Sequence, residues 1–258
     1  MIRFRWFFIR HTESEANVQE RWRIAGRSEA ARLTERGERQ ARLLGQGIAR
    51  RLQALLGQDR KVDDVVQRPL YLSPVAFTSP LTRAQQTARL ALAEVSWPLE
   101  LAQIDDLAEI NQGLWEDALR SEVYTPETLQ AMARNPYEFR APGGEAQRDV
   151  EQRALRAILA MMQRVKQLQL QRRDGVEQID VLVLVFTHGY VCKCLVRSVL
   201  DASPHFTGQI QVDNGAMVEL WLEPQPREEA SVTKASSLGT WTIVRINDTW
   251  GSLAQAVF

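Results

Sequence analysis

The sequence predicts a three-layer α/β/α sandwich around a mostly parallel central sheet, and three observations carry that prediction. Strand-like and helix-like segments alternate along most of the chain, the pattern of a parallel sheet with helices on both faces. Two runs, Phe4 to Ile9 and Val181 to Phe186, are almost continuously apolar, as strands buried on both faces are. The 258 residues are enough for one sizeable α/β domain, and we read residues 1–258 as a single one.

The elements follow in order. Phe4 to Ile9, broken only by Arg5, is the first strand. Thr34 opens a helix to about Leu56, with Ala41, Leu44, Ile48, Leu52 and Leu55 at three- and four-residue spacing. Val75 to Thr78 is a short strand. Ser79-Pro80 then reads as a helix start, Ser as cap and Pro in the first turn, and that helix runs through Ala93. Leu99 to Ile104 is another strand. Pro126 and Pro136 bracket a short helix over Glu127 to Arg134.

Pro142-Gly143-Gly144 marks a loop. A long amphipathic helix from Glu145 to Arg172 carries Val150, Ala154, Ile158, Met162 and Val165 on one stripe. Val181 to Phe186 leads through His188-Gly189 into a helix to about Leu200. Gln209 to Val212 and Met217 to Leu222 read as two strands joined by an Asp213-Asn214-Gly215 hairpin turn. A polar loop excursion spans 224–238, and Trp241 to Ile246 is the last strand.

Composition narrows the function. The 32 basic and 32 acidic residues cancel, so neither a nucleic acid nor a membrane surface is the expected partner. The N-terminal stretch lacks the apolar core and cleavage site of a signal peptide, and no apolar run reaches bilayer-spanning length; a cytosolic location is expected. The two cysteines, Cys192 and Cys194, are too close for a useful staple. They read as reduced thiols in a packed helix, without the further ligands a metal site needs.

Ligands of parallel sheets bind at the carboxyl ends of the strands. Arg10-His11 ends the first strand, Ser79 and Arg83 follow the Val75 to Thr78 strand, Glu109 follows Leu99 to Ile104, and His188 ends the strand from Val181. All fall on one edge of the sheet. Two imidazoles, two guanidiniums and a carboxyl group there make a phosphate site with a nucleophile and a proton donor. His205, in a Pro/Gly-flanked loop, is left out of that set.

At this point the chain resembles the histidine phosphatase superfamily, which includes the cofactor-dependent phosphoglycerate mutases. The matching segments are Phe8-Ile9-Arg10-His11-Thr12-Glu13-Ser14-Glu15-Ala16-Asn17, Leu33-Thr34-Glu35-Arg36-Gly37 with Gln40-Ala41, and Thr78-Ser79-Pro80-Leu81-Thr82-Arg83-Ala84 with Gln86-Thr87. Leu107-Ala108-Glu109 with Gly113-Leu114-Trp115-Glu116, then Pro142-Gly143-Gly144-Glu145, then Thr187-His188-Gly189 complete the set.

The resemblance implies a phosphoglycerate mutase-like fold and a role for each residue. His11 is the nucleophile and forms a phosphohistidine; Arg10, Arg83 and Asn17 hold phosphoryl oxygens. His188 donates to the transferring group, aided by backbone amides at Gly189. Glu109 protonates the leaving oxygen and then activates water. No cofactor and no metal are expected, because arginine and histidine supply the positive charge.

Two positions depart from the family pattern. Thr12 stands where glycine usually follows the first histidine, which implies ordinary backbone angles with the Thr12 amide still available. Tyr190 stands where a second glycine is frequent, and is a candidate substrate contact. Arg21, Arg23 and Arg27 occupy the loop where relatives contact substrate, and suggest a second anionic group there. The expected partner is a small phosphorylated metabolite. Three functional classes compete: a phosphatase, a mutase, and a phosphate-binding module without turnover. The stretch from Gly113 to Gly143 is shorter than the mutase insert, which favours the phosphatase.

Overall fold

The computed structural model describes residues 2–19, 22–28, 31–56, 69–170, 179–225 and 233–249. Its strands form one seven-stranded sheet. The elements are β1 (Ile2–Arg10), α1 (Glu15–Gln19), α2 (Glu35–Leu56), β2 (Leu70–Leu72), β3 (Val75–Thr78), α3 (Thr82–Leu92) and β4 (Glu100–Gln103). They continue with α4 (Arg120–Val123), α5 (Pro126–Arg134), α6 (Gln147–Leu170), β5 (Ile179–Thr187), α7 (Gly189–Val199), β6 (Met217–Pro224) and β7 (Gly239–Asp248). The strand order is β4-β3-β5-β1-β6-β7, with β2 also paired to β5. The β1–β5, β2–β5, β3–β5 and β3–β4 pairs are parallel, and β6 and β7 add an antiparallel edge.

Alternation along β1 and β5 decides the layers. Phe4, Trp6, Phe8, Val181, Val183 and Val185 face one cluster, closed by Val150, Ala154, Ile158 and Val165 of α6 and by Val191 and Leu195 of α7. Phe7, Ile9, Leu182, Leu184 and Phe186 face the other, closed by Leu44, Ile48 and Leu52 of α2 and by Ala88 and Ala91 of α3. A fully buried side chain of this size contributes about 2 kcal/mol, so both faces of the two central strands are held. The Arg3 and Arg5 guanidiniums both bind the buried Asp180 carboxylate. Cys192 and Cys194 are buried free thiols on α7. No described helix is long and apolar enough to cross a membrane.

Two sequence expectations are corrected. Ser79-Pro80 does not open α3. The helix begins at Thr82 with Leu81 as its extended cap residue and no side-chain cap; the Ser79 hydroxyl accepts from Leu81 N in the turn ahead of the helix and is bonded to His188 Nε2 at 2.7 Å. Residues 209–212 are not a strand, and β6 has no hairpin partner there; it pairs with β1 and β7. The Asp213-Asn214-Gly215 turn is spent on the end of β1 instead. Gly215 N donates to the carbonyls of Arg10 and His11, and Asn214 Nδ2 donates to the His11 carbonyl. The turn thus locks the backbone under His11. Residues 171–172 of the expected long helix, and 226–232 of the polar excursion, lie outside the described residues.

Candidate active site

Register brings the chemistry together. Arg10 lies opposite Thr187, and Thr78 opposite Phe186, so β1, β3 and β5 end side by side. His11 N donates to the Thr187 carbonyl and Ser79 N to the Phe186 carbonyl, each at 2.9 Å. The two imidazoles that follow β1 and β5 are buried, edge to face, with ring centroids 5.2 Å apart. Arg10, His11, Asn17, Arg83, Glu109, Gly189 and Tyr190 all line one cavity of about 570 Å³.

Hydrogen bonds fix the state of His11. Its Nδ1 lies 2.8 Å from the Thr12 carbonyl, which only accepts. Nδ1 therefore carries the proton, and Nε2 presents its lone pair. Arg83 Nε donates to that Nε2 at 3.2 Å. Burial, then the charges of Arg83 and Arg10, hold the His11 pKa well below its ordinary 6.5, against a small opposing pull from the Thr12 carbonyl. His188 is lowered in the same way by burial, then by Arg83, His11, Arg153 and Arg10.

Both rings are neutral in the folded protein, but each takes a proton near pH 6.5 once unfolded. Unfolding therefore binds protons below that pH, and stability present above it is lost as pH falls toward the folded values. We expect nitrogen-resolved NMR to find both rings neutral at pH 6.5, and urea midpoints to drop between pH 7 and pH 5. Titration of both rings at the ordinary value would contradict this.

Among the described residues three buried side-chain atoms have no hydrogen-bond partner, and two belong here: Arg10 Nε and His188 Nδ1. Buried polar atoms are almost always satisfied, so two such atoms beside one cavity point to a ligand acceptor. When Ser79 Oγ donates to His188 Nε2 while accepting from Leu81 N, the proton of neutral His188 sits on Nδ1, ready to donate. Arg10 reaches the site braced by its own Nη1 on the Val212 carbonyl. Gly189 makes room for it: a Cβ there would stand 3.1 Å from Arg10 Nε.

Arg83, 2% exposed, spends its Nη atoms on the carbonyls of Gly26 and Ser28. Asn17 Oδ1 accepts from Ser14 N, Ser14 Oγ and Asn214 Nδ2. That fixes its amide plane at the cavity wall.

The flanking motifs have physical jobs. Thr34 caps α2 by accepting from Gly37 N at 2.9 Å and donates to Glu13. Gln40 accepts from Glu13 N. A Cβ on Gly37 would lie 1.8 Å from the Glu13 carbonyl oxygen, so only glycine lets α2 press against the loop after His11. Thr12 has an ordinary negative φ, as expected, but its amide is not available. It donates to Thr87 Oγ1, while the Thr12 hydroxyl bonds the Gly37 carbonyl. A β-branched residue is used here as a buried strut.

Glu109 is half-buried at the start of α7. Its carboxylate accepts from Ile110 N at 3.0 Å and, more loosely, from Tyr190 N at 3.4 Å. Burial keeps the Tyr190 hydroxyl protonated. The backbone behind Glu109 is held by Arg153. Its guanidinium binds the Asp106, Ala108 and Glu109 carbonyls and grips the Glu145 carboxylate through Nε and Nη2.

The basic loop behaves differently from expectation. Arg27 does not line the cavity. It donates to the Glu109 carbonyl and to Glu145, and so braces the loop from behind. Arg23 is exposed and donates to the Asp117 carbonyl; it too is outside the cavity lining. Arg21 lies outside the described residues. Other cations that do line the cavity are Arg120, Arg140 and Lys193, and His205 joins them. Sequence reading missed the roles of Ser79, Thr87, Arg153 and Asn214.

The chain belongs to the histidine phosphatase superfamily (branch 1), whose model matches residues 6–56 and 57–233. Among its relatives is phosphoserine phosphatase 1 of Hydrogenobacter thermophilus, 32% identical over 143 residues. That match spans about half of either protein, 54% of each. Another is the 2,3-bisphosphoglycerate-dependent phosphoglycerate mutase 2 of Gloeobacter violaceus, 28% identical over 212 residues, 80% of each chain. A mycobacterial glucosyl-3-phosphoglycerate phosphatase shares the fold: TM-score 0.63, 19% identity, 95% of this chain and 99% of that one.

Proposed function

We propose that this chain is a single-domain cytosolic phosphomonoesterase that acts without a metal through a phosphohistidine on His11. The observation that carries the reading is neutral, buried His11 in the cavity wall, with its proton on Nδ1 and its Nε2 lone pair met only by Arg83 Nε, beside the unsatisfied donors Arg10 Nε and His188 Nδ1. The relatives' phosphatase and mutase activities use the same class of substrate as this reading, a small phosphorylated metabolite.

The steps balance. The Nε2 lone pair attacks phosphorus, an N–P bond forms, the P–O bond to the leaving alcohol breaks, and the Glu109 proton passes to the leaving oxygen. The Thr12 carbonyl stabilises the imidazolium through Nδ1–H. Glu109, now a carboxylate, takes a proton from water as the water attacks phosphorus. The N–P bond breaks, its electron pair returns to Nε2, and inorganic phosphate leaves. Arg10, Arg83 and His188 stabilise the equatorial oxygens throughout, with Asn17 and the Gly189 amide as neutral donors.

An aryl phosphate assayed with and without chelator tests this, run beside 3-phosphoglycerate primed with its bisphosphate. We expect hydrolysis unaffected by chelator. Isomerisation of phosphoglycerate outpacing hydrolysis of every monoester would make the chain a mutase. No turnover, with phosphate still raising the melting temperature, would make it a binding module.

A further inference from the structure

We infer that the alcohol part of the substrate is apolar: the site takes the monophosphate ester of an alkyl or aromatic alcohol, a conclusion that rests on the phosphomonoesterase reading above. The observation is the orientation of α5. Leu129, Met132 and Ala133 recur at the i, i+3, i+4 spacing of one helical stripe, Pro136 follows just past the helix end at Arg134, and all four line the cavity that holds His11. No residue of α5 is buried, and Leu129 is 51% exposed.

An amphipathic helix normally turns such a stripe into the protein core. Here the stripe lines the cavity instead, and Glu127, Gln130 and Arg134 are outside that lining. The wall continues onto an aromatic group in which Trp115 packs on Tyr124 and Phe139, with centroids 6.1 and 5.8 Å apart. Arg120, Arg140 and Lys193 line the cavity too, but Arg140 is paired with Asp149 and Arg120 lies over the Tyr124 ring. The α5 stripe and the Trp115 group thus form an apolar wall in a cavity whose phosphoryl end is cationic, as pockets for ligands with one charged end do.

The test is a series of primary alkyl phosphates, ethyl through hexyl, with glycerol phosphate as the polar member. Leaving-group chemistry is nearly constant across the series, so kcat/KM reads the alcohol site. We expect kcat/KM to rise at least roughly tenfold from ethyl to hexyl, the scale on which apolar pockets discriminate, and glycerol phosphate to fall below hexyl. In Leu129→Ser/Met132→Ser the hexyl-to-ethyl ratio should collapse toward one. A flat or falling series in the unmodified protein, or an unchanged ratio in the variant, overturns the inference and leaves the phosphatase reading standing. Hydrolysis of no member of the series overturns both.

Discussion

His11→Asn is expected to abolish hydrolysis, lowering kcat by roughly 10,000-fold or more, as loss of a covalent nucleophile does. The variant should still fold. Asparagine Nδ2 can reproduce the donation of His11 Nδ1 to the Thr12 carbonyl, and the main-chain bonds that hold this position, to the Thr187 carbonyl and from Gly215 N, are untouched. Removing a ring whose pKa burial depresses should also lessen the loss of stability below pH 6.5. Phosphate release and urea denaturation at pH 5.5 and 7.5 check both halves. Activity within tenfold of the parent would place the nucleophile elsewhere.

Arg153→Met is expected to be the most damaging substitution among residues that touch no substrate. Its side chain is 5% exposed and is paired with Glu145. It also satisfies three carbonyls in the turn that carries Glu109. Removing one partner of such a pair strands the other and costs about 3 kcal/mol, or roughly 6–12 °C in melting temperature for a chain of this size. Arg27 keeps its bond to Glu145, so the carboxylate is not wholly abandoned.

The effect on chemistry should be separable from the effect on folding. Adding Glu145→Leu to Arg153→Met should return part of the stability, because no charge is then stranded. It should not restore kcat, because the Glu109 backbone is still unbraced. Recovery of full activity along with stability would show that Arg153 acts on folding alone.

Much of the fold was legible because its strands are buried on both faces. Phe4 to Ile9 and Val181 to Phe186 admit few other readings, and the stripe from Ala41 to Leu52 lies on α2 as its spacing implies. Local signals misled where tertiary contacts outbid them. Ser79 looks like the cap of α3, yet its hydroxyl accepts from Leu81 N in the turn before the helix and also binds a histidine 109 positions away. Asp213-Asn214-Gly215 looks like a hairpin turn, yet its donors go to the end of β1.

The site was legible in its residue types, since His11, Arg83, Glu109 and His188 all follow strands or short segments leading from them. Its supports were not. Nothing in the sequence ties Arg153 to the carbonyls of residues 106, 108 and 109, or Thr12 N to Thr87. The arginines of the loop were misjudged for the same reason: charge is visible in a sequence, but the direction of a guanidinium is not. Arg27 points back to Glu109 and Glu145.

The measurement nearest to the central claim is direct capture of the phosphoenzyme. Mixing the protein with a 32P-labelled monoester and quenching within milliseconds should trap label that is stable to alkali and lost in acid, as a phosphoramidate is. Mass spectrometry should place it on Nε2 of His11, and His11→Asn should carry none. Hydrolysis at full rate with no trapped label, or label that survives acid on another residue, would contradict the account.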